Sequence, residues 1–291
     1  MIRFIAEIGS NHNQNLERAI ELIKTAKSIG CWGVKFQLFR AEELYAPQYK
    51  QQIEMNKARE FPISWIPKIA KVCEETKIKF GCSVFHEQDV DEISSFVDWF
   101  KLSSFDIRRD SLTCAMMQTG IPLMVSLGLA RGRDIIRIGQ LAEECNFGRE
   151  LTLLHCVSKY PALLQDCNME EGIGRIMRLI GSKQFNYDSM KFGWSDHTTH
   201  YAAILSAITM GGTTIECHLD LEDKKGAEFN HRHCWTPHLL DAVISDIKLI
   251  TIANGKGQNW WEDVSDSTFD WMADPEDGMR PLRKVRNSGS I

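Results

Sequence analysis

Eight times between Arg3 and Ile252, a short β-rich run gives way to a longer stretch whose apolar residues fall three and four apart. A strand turns successive side chains to opposite faces, whereas a helix brings them back to one face after three or four residues. Alternation of the two patterns therefore predicts parallel strands joined by crossover helices. The predicted strands are Arg3 to Ile8, Gly33 to Phe39, Ile78 to Ser83, Trp99 to Ser103, Pro122 to Ser126, Leu151 to Val157, Ser189 to Gly193 and Thr213 to His218. Helical patterns lie near Leu16 to Lys27, Ile63 to Thr76, Glu87 to Ser95, Leu112 to Thr119, Ile135 to Cys145, Met169 to Ile180, Ala202 to Met210 and Leu239 to Ile252. A longer polar loop after the second strand is placed to cover a site. Eight such units suggest a single-domain α/β fold, a (β/α)8 TIM barrel over residues 1–255. Residues 256–291 would then be an extension that packs on the barrel or is partly loose.

The 291 residues are 43% hydrophobic and 25% charged, which suits one large core. A net charge of −5 gives no long-range attraction for nucleic acid or an anionic membrane. No run is long enough to span a bilayer, and the N-terminus reads as a strand rather than a signal peptide. Nine scattered cysteines lack paired zinc spacing, and Cys31, Cys82, Cys156 and Cys217 adjoin apolar runs. The expected location is a reducing cytoplasm.

Barrel chemistry collects at the carboxyl ends of the strands. There the sequence places Glu7, Lys35, Gln37, Ser83, Lys101, Ser104, Ser126, Ser158, Ser195, His197 and His218. Phe192 to Thr198 and Ile215 to His218 each end an apolar run with a histidine, so neighbouring strand ends would bring His197 and His218 to one metal ion. The blander reading has each imidazole merely hydrogen-bonding a loop. Alternation puts Lys35 on a face with Gln37, and Glu216 on a face with His218, while Cys217 points away. Lys35 and Lys101 among serines describe an anion pocket suited to a phosphate and a carboxylate.

The segments Ala6-Glu7-Ile8-Gly9-Ser10-Asn11-His12-Asn13, Val34-Lys35-Phe36-Gln37, Lys101-Leu102-Ser103-Ser104, Leu154 to Pro161 and Ser195-Asp196-His197-Thr198 together resemble the N-acetylneuraminate (sialic acid) synthase family. The resemblance implies a transferase that condenses phosphoenolpyruvate with a sugar aldehyde such as N-acetylmannosamine, giving a nonulosonic acid and phosphate. It implies Glu7, His197 and His218 as catalytic residues, with His197 and His218 holding a divalent metal, Mn2+ or Mg2+. Lys35, Ser83, Lys101, Ser104, Ser126, Ser158 and Ser195 match positions that bind phosphoenolpyruvate. Gln37, Asp106 and Tyr160 fall where the acceptor is handled. The implied partners are those two substrates, and a homodimer is allowed.

The chain departs from the family pattern in several places. Glu216-Cys217-His218 replaces Glu-Lys-His, Ser158 stands where asparagine is common, Asn230-His231 where Asp-His is usual, and Gln14 where glycine follows Asn-His-Asn. Many members also continue into a small antifreeze-like domain that gives an arginine to the acceptor, and the residues from Lys256 to Ile291 are expected to be too few to form it with its linker. Arg280 or Arg283 acting from a lid is one replacement, and a tail carrying Trp260, Trp261 and Trp271 is the blander reading. Two other functions stay open: a Schiff-base aldolase using Lys101 or Lys191, and a barrel that binds phosphoenolpyruvate or metal without catalysis, as a subunit of a larger assembly.

Overall fold

The computed structural model describes residues 2–181, 190–253, 255 and 266–288. Eight parallel strands close into a barrel: β1 (Arg3–Glu7), β2 (Gly33–Leu38), β3 (Lys79–Val84), β4 (Trp99–Leu102), β5 (Leu123–Ser126), β6 (Leu151–Cys156), β7 (Met190–Asp196) and β8 (Thr214–Leu219). Each pairs with the next, and β8 returns to β1 with His218 beside Glu7. The helices are α1 (Leu16–Ser28), α2 (Ala41–Leu44), α3 (Lys50–Lys57), α4 (Ile66–Thr76), α5 (Glu87–Ile93), α6 (Asp110–Gln118), α7 (Gly132–Glu144), α8 (Met169–Gly181), α9 (Tyr201–Thr209) and α10 (Pro237–Ala253). The fold is the (β/α)8 barrel that the alternation predicts.

Local chemistry explains these elements. Asn15 begins α1 by accepting the Arg18 N–H at 3.1 Å, and Gly30, at φ +88°, lets the chain turn away after its end. Between them Ala19, Ile20, Leu22, Ile23 and Ala26 form the buried stripe. On the strands, one set of side chains joins the outer core under the helices, including Val34, Phe36, Cys82, Leu102, Val125, Leu153 and Cys217. The opposite set fills the barrel. At its lower end Trp99, Ile5 and Met124 pack together against Trp32. The Trp99 indole occupies the space in which a Cβ on Gly33 or Gly81 would stand. A tryptophan plug on β4 thus requires glycines on β2 and β3, and forms the floor below Lys35 and Lys101.

The structure corrects several boundaries. β7 continues through Asp196 instead of ending at Gly193, so Ser195 belongs to the strand and His197 follows it directly. The expected start at Ser189 lies outside the described residues. The long connection after β2 contains α2 and α3, and the helix expected from Ile63 opens with a 3-10 turn, Ile63–Trp65, before α4. A short strand, β9 (Cys234–Trp235), pairs in parallel with β8. Its backbone keeps the ladder going past the barrel rim, which a two-residue apolar pair does not announce in sequence.

The chain divides into two compact units, Met1–Ile247 and Lys248–Ile291. Within the second, α11 (Asp266–Phe269) and α12 (Arg283–Asn287) are described. Asp274 accepts the backbone N–H groups of Glu276 at 3.0 Å and Arg283 at 2.7 Å, and the Arg283 guanidinium is ion-paired with Glu276 and Asp277. Trp260 and Trp261 lie outside the described residues.

Candidate active site at the strand ends

The strand register assembles the polar floor. Glu7 lies beside Lys35 across the β1–β2 ladder, Ser83 beside Lys101 across β3–β4, and Ser195 beside Glu216 across β7–β8. Lys35 donates to Ser83 Oγ at 3.0 Å and is ion-paired with Glu7. Lys101 donates to Ser126 Oγ at 2.5 Å. Glu216 Oε1 accepts the Ser195 hydroxyl at 2.9 Å, and the carboxylate stands 3.7 Å from Lys101 Nζ and 3.9 Å from Lys35 Nζ. All of these side chains are buried. Burial works against charge on Glu216, but Lys101, Lys35 and the Ser195 hydroxyl outweigh it and hold the carboxyl below its usual range. Lys35 is likewise opposed by burial and raised by Glu216 and Glu7. Lys101 is lowered, by burial and then by Lys35, against the pull of Glu216.

Above this floor stand three imidazoles and a phenol. The His197 and His218 ring centroids are 5.4 Å apart, His218 and His233 are 4.5 Å apart, and Tyr160 lies 4.2 Å from His197 and 5.0 Å from His233. His197 Nδ1 is 2.7 Å from Val157 O, and burial beside His218 lowers its pKa to about 3. His218 Nδ1 meets Glu228 Oε2 at 2.7 Å, and Glu228 raises its pKa against burial. Both rings thus spend Nδ1 on a protein acceptor and keep Nε2 without a protein partner among the described residues. That is how imidazoles are held for a cation, with the second nitrogen anchored by a carbonyl or a carboxylate. His218, Glu228, His233 and Cys234 also offer donor atoms within 4.8 Å of one another. The residues present fit a divalent metal.

Glu228 and His233 were missed by sequence reasoning. Glu228 also accepts the Ser10 N–H at 2.6 Å and lies 3.5 Å from His233 Nε2. Its carboxylate occupies the place a Cβ on Gly9 would take, and Gly9 has φ +50°. The loop that carries it is braced by the first motif. Asn11 accepts the Glu228 N–H at 2.9 Å and donates to Leu219 O at 2.9 Å, while Asn13 accepts the Ala227 N–H at 2.8 Å and donates to Lys225 O at 2.7 Å. The only available signal was an asparagine pair in one motif, with no mark of its partner more than two hundred residues away.

The expected residues mostly meet in one cavity of about 660 Å³, lined by Lys35, Gln37, Ser83, Lys101, Ser104, Asp106, Ser126, Tyr160, Ser195, His197 and His218. Glu7, expected as a catalytic residue, is not among the lining residues; it is fully buried next to them, where its Oε1 accepts from Gln37 at 2.8 Å. Ser104 accepts the Gly128 N–H at 3.1 Å. Burial raises the Asp106 pKa against Arg109, 3.5 Å away. Ser158 is not among the lining residues: its buried hydroxyl has no partner among the described residues and sits where a Cβ on Gly128 would go. Lys191, considered for imine chemistry, instead pairs with Glu150 at 2.5 Å near the start of β7. Asp196 serves the scaffold, accepting the indole N–H groups of Trp194 and Trp235 at 2.9 Å each.

Comparison with known proteins bears on the family and the fold. The NeuB family model matches residues 22–259. N,N'-diacetyllegionaminic acid synthase of Legionella pneumophila is 28% identical, over 87% of this chain and 73% of its own. N-acetylneuraminate-9-phosphate synthase of Drosophila melanogaster is 27% identical, over 86% of this chain and 69% of its own. The crystal structure of N-acetylneuraminic acid (sialic acid) synthetase from Leptospira borgpetersenii shares the fold, with a TM-score of 0.78 at 24% identity over 88% of this chain and 86% of that one. With the family pattern covering most of the barrel, and the barrel bringing its motifs to one cavity, this chain belongs to the NeuB family.

Proposed function

We propose that the chain condenses phosphoenolpyruvate with an N-acetylmannosamine-like sugar aldehyde, giving a nonulosonic acid and inorganic phosphate, with a divalent metal at His197 and His218. Its family and its synthase-named relatives make it a carbon–carbon bond-forming transferase that uses phosphoenolpyruvate. The observation that carries the reading is the buried floor, where two ammonium groups, three serine hydroxyls and a neutralising carboxylate face one cavity. Such a floor suits a small dianion with a carboxylate, because Lys35 and Lys101 neutralise charge while Ser83, Ser126 and Ser195 turn hydroxyls to its oxygens.

In the reaction, the methylene carbon of phosphoenolpyruvate attacks the aldehyde carbon and forms the new bond. Water adds at the phosphate-bearing carbon, and cleavage of its bond to the bridging oxygen releases phosphate. A bound Mn2+ or Mg2+ would polarise the aldehyde oxygen. Glu7, held by Lys35 and Gln37, would act as the acid or base that moves a proton between the new alkoxide and the attacking water, through Gln37 and Lys35 at the cavity surface. Gln37, Asp106 and Tyr160 would hold the acceptor on the outer side of Glu7.

The test is phosphate release from phosphoenolpyruvate with Mn2+ or Mg2+ across a panel of aldoses. Release that requires an aldose, and that is lost with chelator and in His218→Ala, supports the reading. Aldose-independent release, or none with any aldose while phosphoenolpyruvate binds, overturns it. The buried, lowered Lys101 is the one feature that favours imine chemistry. Borohydride trapping of a keto substrate on Lys101 would select that alternative.

A further inference from the structure

Arg59 follows α3 and lines the cavity together with Asn56, Tyr45 and His231. Arg18, Arg40, Arg109 and Arg137 each pair with a carboxylate. Among the described residues the Arg59 guanidinium has a single partner, His231 Nε2 at 3.4 Å. Its acidic neighbour Glu60 is turned away, accepting the Ala41 N–H at 2.7 Å. Asp106, the carboxylate expected on the acceptor side, is already 3.5 Å from Arg109. A half-buried guanidinium facing a ligand cavity without a counter-ion is a site for an anion, and its planar fork matches the oxygens of a phosphate.

The inner anion is already provided for. Lys35 and Lys101, with their serines, form the floor, and Arg59 is not hydrogen-bonded to any of them. A second cationic group in the same cavity therefore addresses the second substrate. The relatives differ on this point by name, one being a legionaminic acid synthase and another an N-acetylneuraminate-9-phosphate synthase. We infer that Arg59, with His231 beside it, binds a phosphate monoester on the acceptor aldose, at the end remote from the aldehyde. This rests on the condensation reading above and deepens it to a substrate class.

The experiment compares N-acetylmannosamine with and without a phosphate monoester on its terminal hydroxyl, in wild type, Arg59→Ala and Arg59→Lys. Wild type should favour the phosphorylated aldose in kcat/KM, and Arg59→Ala should reduce that preference by roughly tenfold or more through KM, with Arg59→Lys restoring part of it. Titration of the phosphorylated aldose alone, followed by calorimetry, should show the same loss of affinity in Arg59→Ala. A preference that is equal or reversed in wild type, or unchanged in Arg59→Ala, overturns the inference while the condensation stands. A protein that binds the phosphorylated aldose through Arg59 but releases no phosphate from phosphoenolpyruvate keeps this site and overturns the condensation.

Discussion

At the residue scale, the decisive group is Glu216, which keeps two buried ammonium groups compatible with one floor. Glu216→Gln leaves Lys35 with Glu7 but removes the nearest acidic group from Lys101. Removing one partner of a buried charge cluster is expected to cost about 3 kcal/mol, measured by urea denaturation. Added phosphoenolpyruvate should restore more stability to the variant than to wild type, since its phosphate supplies the missing charge; equal restoration would place the anion elsewhere. The sequence made Glu216 legible as a neighbour of His218 by alternation, but its contacts with two lysines from β2 and β4 depend on barrel closure. His12 gives the pH case. It is buried among Phe36, Phe61 and Trp65, accepts the Gln14 N–H at 3.0 Å, and has its pKa lowered by burial to about 4. The unfolded chain therefore binds the extra proton first as pH falls. Stability should be full above pH 6.5 and decline by on the order of 3 kcal/mol toward pH 4. His12→Gln, which keeps an acceptor, should flatten that slope in denaturation curves taken across the window.

At the element scale, strands were legible because both faces of each carry a pattern, and the loops were not. Glu228 sits on a connection with no periodicity, so nothing local tied it to His218; the tie is made by Asn11 and Asn13 from the loop after β1. Its carboxylate fixes the His218 ring, and loss of such a partner lowers metal affinity by roughly 10–100-fold. Glu228→Gln should weaken Mn2+ binding by about that factor in titrations read by electron paramagnetic resonance, with the fold intact by circular dichroism. Unaltered Mn2+ affinity would relieve Glu228 of that role. On β3, Gly81 exists for the Trp99 plug. Gly81→Ala should cost about 3 kcal/mol through overpacking, and Trp99→Leu should cost a similar amount by leaving a cavity. Because the new methyl would enter the space the indole vacates, the double variant should be less destabilised than the sum of the two. Additive costs would mean that the glycine answers to something other than Trp99.

At the scale of the whole molecule, the barrel carries its own core and its own ends. The buried hydrophobic core among the described residues runs from Phe4 to Ile247, and β8 closes on β1 through five register pairs. Closure is what turns eight separately readable strand ends into one cavity, and it is also why a chain read from sequence yields a set of site residues without their mutual contacts. The second unit has a polar framework of its own, centred on Asp274, Asp277 and Arg283. If stability and the candidate site both reside in the first unit, a chain ended at Gly255 should unfold cooperatively with a midpoint close to that of the full chain, and should bind phosphoenolpyruvate with unchanged affinity. Acceptor kinetics separate two further cases. A shortened chain that keeps its acceptor KM leaves recognition with the barrel, including Arg59. A rise in acceptor KM with phosphoenolpyruvate binding intact would assign part of that recognition to residues after Gly255, and Arg280 would be the first side chain to replace.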